Sequence, residues 1–197
     1  MRLPINLTAI PLIKSKEFFM KATGIVRRID DLGRVVIPKE IRRTMRIREG
    51  DPLEIYTNSD GEVIFKKYSA ISEMSENATY VADIMCRIAG CPVVIFDKDH
   101  VVASAGVPKK EFAERRTTEQ LEELMNSRSQ YFCQDGNSHF NAVEGIDRSA
   151  IAVVPIITSG DVSGAVAFIS NDKFHTVTDL QKSLINASAQ FLARQIE

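Results

Sequence analysis

The chain has 197 residues, 44% hydrophobic and 26% charged, which fits a soluble globular protein of one large domain or two small ones. No apolar run approaches the length of a bilayer span, and three cysteines without framework spacing exclude a disulfide scaffold and point to a reducing, cytoplasmic compartment. The formal net charge of −1 hides an asymmetry: residues 20–48 hold nine Lys/Arg against three Asp/Glu, and residues 71–197 hold eleven against seventeen. A basic block followed by an acidic body predicts an anionic partner for the first and another task for the second.

Residues 1–19 fit poorly with the rest of the chain. Pro4 and Pro11 interrupt any helix, and the broken apolar run leads to no small-residue cleavage site. The segment reads as a loosely ordered upstream extension. The competing reading is a docking arm anchored by Leu12, Ile13, Phe18 and Phe19. Gly24–Ile29 and Arg34–Ile37 suit strands flanking an Asp30–Gly33 turn, in which Gly33 is free to take positive φ. Pro38 suits a first helical residue, and Lys39–Met45 a short helix with Ile41 and Met45 inward and Arg42 and Arg43 exposed. Leu53–Tyr56 and Val63–Phe65 read as strands joined by an Asn58–Gly61 hairpin signal. A block of about fifty residues is too small for a comfortable core of its own, and a dimer sharing one core is the natural remedy.

Tyr68–Ser72 reads as the linker. A helix over Glu73–Gly90 carries the apolar stripe Ala78, Val81, Ala82, Met85, Ile88 and Ala89. Strands come next at 92–97 and 101–105, then a helix at Thr117–Ser127 capped by Thr118, strands at 149–158 and 162–170, and an amphipathic helix at Thr178–Ile196. That last helix presents Leu180, Leu184, Ile185, Ala187, Ser188, Phe191 and Leu192 as apolar or small. This order predicts an α+β fold with an antiparallel sheet.

The stretch Gly24–Arg43, with its strand, Leu-Gly-Arg turn, apolar strand and Pro-led helix, resembles the AbrB and SpoVT transition-state regulators. The strand from Ile151 to Ile157, then Gly160 and Val162–Phe168, resembles a GAF domain, and this order of halves is that of SpoVT-type regulators. The resemblance implies an N-terminal swapped-hairpin β barrel shared by two chains over residues 20–70, and a GAF-like regulatory and oligomerisation domain over 73–197. It further implies DNA contacts at the positions of Arg27, Arg34, Arg42 and Arg43. Lys21, Arg28 and Lys39 are supporting candidates. Arg27 and Arg28 are strand neighbours and so point to opposite faces. Guanidinium suits phosphate and guanine bidentately, and the lack of interleaved aromatics favours duplex over single-strand binding.

No catalytic, cofactor or metal site is expected. Cys86 and Cys91 sit five apart across a helix end, Cys133 is alone, and His100, His139 and His175 lack pair spacing. Cys86 reads as a packed small hydrophobe. A GAF-like fold also leaves two possibilities open around 117–125 and 132–146: a small-molecule pocket, or a closed pocket serving dimerisation. The resemblance therefore implies a sequence-tolerant regulator of duplex DNA, activating some sporulation genes and repressing others. The partners are double-stranded DNA and further copies of the chain, a tetramer being expected, with no membrane partner. The setting is cytoplasmic and nucleoid-associated, in the forespore. Alternatives are an antitoxin-like DNA-binding partner of a toxin and a small-molecule sensor.

Overall fold

The computed structural model describes residues 23–135, 140–171, 173 and 175–196. The 1–19 extension and Lys21 lie outside these residues. The chain divides into two compact units, the first ending at Gly50 and the second beginning at Asp51.

In the first unit the Asp30–Gly33 turn forms as expected, with the Asp30 N–H donating to the Arg34 carbonyl (3.1 Å), the Gly33 N–H to the Asp30 carbonyl (3.0 Å), and Gly33 at φ 75°. The flanking segments 24–29 and 34–37 do not form the expected strands: neither joins a ladder with another described segment. The reason is that a strand needs a neighbour for its backbone groups, and the described residues of this unit offer none. Among the described residues before Asp51 only Pro38 is buried, and Val26 is 85% exposed. Helix α1 spans Lys39–Thr44, and Pro38 is its N-cap, one place earlier than expected, its carbonyl accepting from the Arg42 N–H (2.9 Å). Met45, expected to face inward, is 57% exposed, because no described residue of the unit covers that side of so short a helix.

The second unit opens with a hairpin, β1 (Leu53–Thr57) against β2 (Val63–Lys67). Its turn is held by the Asn58 side-chain oxygen, which accepts from the Asp60 and Glu62 N–H groups (3.1 and 2.9 Å). The expected linker is ordered instead. Ser69 caps helix α2 (Ala70–Glu73), and Ile71 is fully buried, so an apolar anchor within the segment overrides its polar ends. Helix α3 (Ser75–Ala89) ends at Gly90 in the left-handed region.

The rest is one antiparallel sheet, ordered β4-β3-β7-β6-β5. Its strands are β3 (Val93–Asp97), β4 (Val101–Ala105), β5 (Tyr131–Phe132), β6 (Ala150–Thr158) and β7 (Asp161–Ile169). Helices α4 (Lys109–Phe112), α5 (Glu119–Asn126) and α6 (Asp179–Gln195) complete it. Neither α4 nor β5 is foreseeable in the sequence; each is too short to carry a periodic signal. Along β3 the side chains alternate between two cores. Val93 and Ile95 meet Ile71, Met85, Ile185 and Leu192 of α2, α3 and α6, whereas Val94 and Phe96 meet Phe112, Leu121 and Met125 of α4 and α5. Both faces are therefore covered, which is why β3 reads as an unbroken apolar run. Gly164 on β7 lies so close to β3 that a Cβ there would stand 2.0 Å from the Phe96 carbonyl oxygen. The fold is α+β, as predicted.

The helical stripes are divided differently from the expectation. On α3, Ala78, Ala82, Met85 and Ala89 are buried, but Ile88 is exposed beside Tyr80 and Ile84. On α6, Ile185, Ser188, Ala189 and Leu192 are buried while Leu180 and Phe191 are exposed. Each helix is apolar over a wider arc than one sheet face can cover.

Candidate nucleic-acid interface

The Asp30 carboxylate organises the turn that carries Arg34. One oxygen accepts from the backbone N–H groups of Leu32 (3.0 Å) and Arg34 (2.8 Å), and the other from Arg34 Nε (2.8 Å). The Arg34 N–H and guanidinium together hold the Asp30 carboxyl below the usual carboxylate range. Arg34 remains 70% exposed, so the ion pair adds little stability and serves chiefly to orient. Because the bond uses Nε, the two Nη groups remain for a bidentate acceptor such as phosphate or a guanine edge.

Arg42 and Arg43 lie in the last turn of α1, both exposed. Cations there complement the negative end of the helix dipole. Neighbours on a helix diverge by about 100°, so the pair addresses two directions. The carbonyls of these two residues are satisfied from beyond the helix: the Ile47 N–H donates to the Arg42 carbonyl (2.7 Å) and the Arg46 N–H to the Arg43 carbonyl (3.2 Å). This is a Schellman ending, whose left-handed residue is usually glycine. Here it is Arg46, at φ 50°. A basic side chain is thus kept where backbone geometry prefers none. Arg46 belongs to the basic block but lies outside the residues that the family resemblance marks; its signal in the sequence is an arginine, rather than a glycine, two residues after Thr44.

Arg27 and Arg28 are exposed on the segment leading into the turn, and Lys39 is exposed in the first turn of α1. All six described candidates therefore face solvent on three consecutive segments.

The thiols offer little chemistry. Burial pushes the Cys91 thiol up to about 12, and its S–H donates to the Ile169 carbonyl (3.1 Å). Burial also raises Cys86, which is half-buried against the core as a small apolar group. Among the described residues no three His, Cys, Asp or Glu side chains gather to hold a metal. The apolar side of α5 packs with Ala142, Val143 and Ile146 in the core opposite α3 and α6. Part of the candidate lining, residues 136–139, lies outside the described residues. No described helix is long and apolar enough to cross a membrane.

Comparison with known proteins agrees with this division of labour. Residues 73–197 match the family model for the C-terminal part of stage V sporulation protein T, described as a transcription factor, and residues 26–71 match that of the MazE bacterial antitoxins. Stage V sporulation protein T of Bacillus subtilis is 49% identical over 180 residues, covering 90% of this chain and 99% of that protein. The transition state regulatory protein AbrB of the same organism is 50% identical over 78 residues, 39% of this chain and 78% of that one. Among solved structures, the GAF domain of an Acinetobacter phosphoenolpyruvate-protein phosphotransferase superposes with a TM-score of 0.53 at 10% identity, over 66% of this chain and 84% of that one, a likeness of fold alone. With an AbrB-like DNA-binding half and a GAF-like half joined in this order, the chain belongs to the stage V sporulation protein T family of transcription factors.

Proposed function

We propose that the chain binds duplex DNA as a dimer built through residues 20–70, with Arg27, Arg34, Arg42 and Arg43 as the contacts. Lys21, Arg28 and Lys39 add weaker phosphate attraction. The observation that carries this reading is a coincidence within one small unit. Exposed arginines on an ordered turn and a short helix stand beside apolar side chains, Val26, Ile29 and Val36 among them, that a single chain leaves uncovered. A second copy covering those side chains would supply the missing ladder partners and double the arginine set. Phosphate contacts and groove shape then dominate over base reading, which gives tolerance of sequence.

Residues 73–197 act as the regulatory and association domain. The exposed apolar residues Tyr80, Ile84 and Ile88 of α3 and Leu180 and Phe191 of α6, two helices that pack together, offer a face for another protomer. Two separate interfaces per chain make a tetramer. The protein acts in the cytoplasm on the nucleoid of the forespore, raising expression of some sporulation genes and lowering that of others. It has no enzymatic role.

The match of residues 26–71 to antitoxins favours a second reading, as the DNA-binding partner of a toxin. Against it, the chain continues from there into a closed α+β core that matches transcription factors. The test is fluorescence anisotropy of a labelled duplex with the full chain. Arg34→Ala and Arg42→Ala should each weaken binding about tenfold or more. Unchanged binding in both would refute the assignment of the DNA face.

A further inference from the structure

The hairpin β1–β2 closes the region, residues 26–71, that matches the MazE antitoxin model, and a charged cluster fastens it to the five-stranded sheet. Lys67 Nζ, at the end of β2, lies 2.5 Å from Asp99 Oδ2 in the turn between β3 and β4, and 3.4 Å from Asp51 Oδ2 just before β1. Lys98 Nζ of the same turn is 3.8 Å from the other Asp51 oxygen. The Asp51 side chain is 7% exposed and that of Asp99 16%, so these charges are screened far less than a surface pair. Below them, Ser72 of α2 donates to Asp97 Oδ2 (3.0 Å), while Asp97 Oδ1 accepts from the N–H groups of Asp99 (2.8 Å) and His100 (2.6 Å), fixing the turn.

The same turn is held from its other side. The Asp99 carbonyl accepts from both the N–H (2.9 Å) and the hydroxyl (3.2 Å) of Thr117, which is fully buried. Thr118 next to it caps α5 and donates its N–H to the Ala142 carbonyl (3.2 Å), and the Glu144 N–H donates to the Arg116 carbonyl (2.9 Å). A continuous hydrogen-bonded path thus runs from the hairpin, through Lys67 and Asp99, to the start of α5 and the 141–144 segment.

We propose that Lys67 is a positioning residue that clamps the β1–β2 hairpin, which follows the arginine-bearing segments, to the β3–β4 turn, so that the state of the α5 region and the seating of the hairpin are coupled in both directions. The regulatory part of this inference rests on the DNA-binding reading above. Coupling of this kind is reciprocal: if the α5 region influences DNA binding, DNA must influence the α5 region.

The test is hydrogen exchange on the full chain, with and without a duplex, for the wild type, Lys67→Met, Lys67→Arg and Asp99→Asn. In the wild type the duplex should slow exchange at 39–44, and also at 97–101 and 115–118, about fivefold or more at the latter. In Lys67→Met only the 39–44 response should remain. A response at 97–101 that survives in Lys67→Met, or that is missing in a wild type whose α1 responds, overturns the proposal. If α1 does not respond, it is the DNA reading that fails. The clamp is then judged without DNA. Asp99→Asn should speed exchange in β1–β2 as much as Lys67→Met does and leave α6 unchanged, while Lys67→Arg, which keeps the charge between Asp51 and Asp99, should exchange as the wild type. Unchanged exchange in β1–β2 on Asp99→Asn overturns it.

Discussion

The two units of this chain solve opposite problems with the same kinds of residue. From Ile71 onward, apolar side chains on five strands and their covering helices close two cores. Before Asp51, only Pro38 is buried among the described residues, and Val26, Ile29, Leu32 and Val36 stand in solvent among exposed arginines. Burial stabilises by about 25 cal/mol per Å² of apolar surface, a gain these exposed side chains do not collect. The difference marks where apolar surface is left uncovered among the described residues. The sheet and its helices close on themselves with apolar faces to spare, whereas the described residues before Asp51 leave their apolar side chains uncovered.

The sharpest way to break the comparison is to damage the finished half. Gly164→Ala places a Cβ against the Phe96 carbonyl and should cost about 3 kcal/mol, read as a lower denaturant midpoint for the sheet. Such a loss should not depend on protein concentration. The next largest effect concerns the unfinished half. Val26→Asp should leave the unfolding of the sheet unmoved and instead weaken self-association about tenfold or more, measured by sedimentation, because a charge is placed where a partner would bury an apolar surface. A weakened sheet with intact association would contradict the division.

Smaller effects sharpen the account of the DNA face. Arg46→Gly relieves the left-handed strain at φ 50°. It should raise thermal stability by about 0.5 kcal/mol, the relief exceeding the entropy that glycine adds to the unfolded chain. The same change should lower duplex affinity, since a basic side chain is lost beside Arg42 and Arg43. The smallest effect is a titration. The Asp30 carboxyl is held below the 3.8 of a free aspartate by the Arg34 N–H and guanidinium. A depressed folded pKa contributes stability above the unfolded value and loses it as pH falls through the folded one. The Asp30–Arg34 turn should therefore persist at neutral pH and loosen only below pH 3.8, with an NMR titration of the Asp30 carboxyl giving a midpoint under that value.

Much of this architecture is legible in the sequence because it is local. The Asn58–Gly61 turn, the Thr118 cap and the unbroken apolar run of β3 each depend on residues within a few positions of one another. The basic character of Arg34, Arg42 and Arg43 is equally plain. The features that escape depend on distant partners. The segment around Ile71 reads as a linker until the core that receives its side chain is in place. Ile88, Leu180 and Phe191 read as inward until two helices compete for one sheet face. The expected strands around the Asp30 turn are missing for the same reason, since the neighbour they need is not among the described residues of the first unit. The Lys67–Asp99 contact joins residues 32 apart and leaves no periodic trace.

The central claim, that the arginines act as a paired set contributed by two chains, is tested most directly by the salt dependence of duplex affinity for the wild type and Arg42→Ala. Each phosphate contact contributes about −0.9 to the slope of log affinity against log salt. A paired set predicts that one substitution removes two contacts and flattens the slope by about 1.8. A slope unchanged by Arg42→Ala, or flattened by only about 0.9, would contradict it.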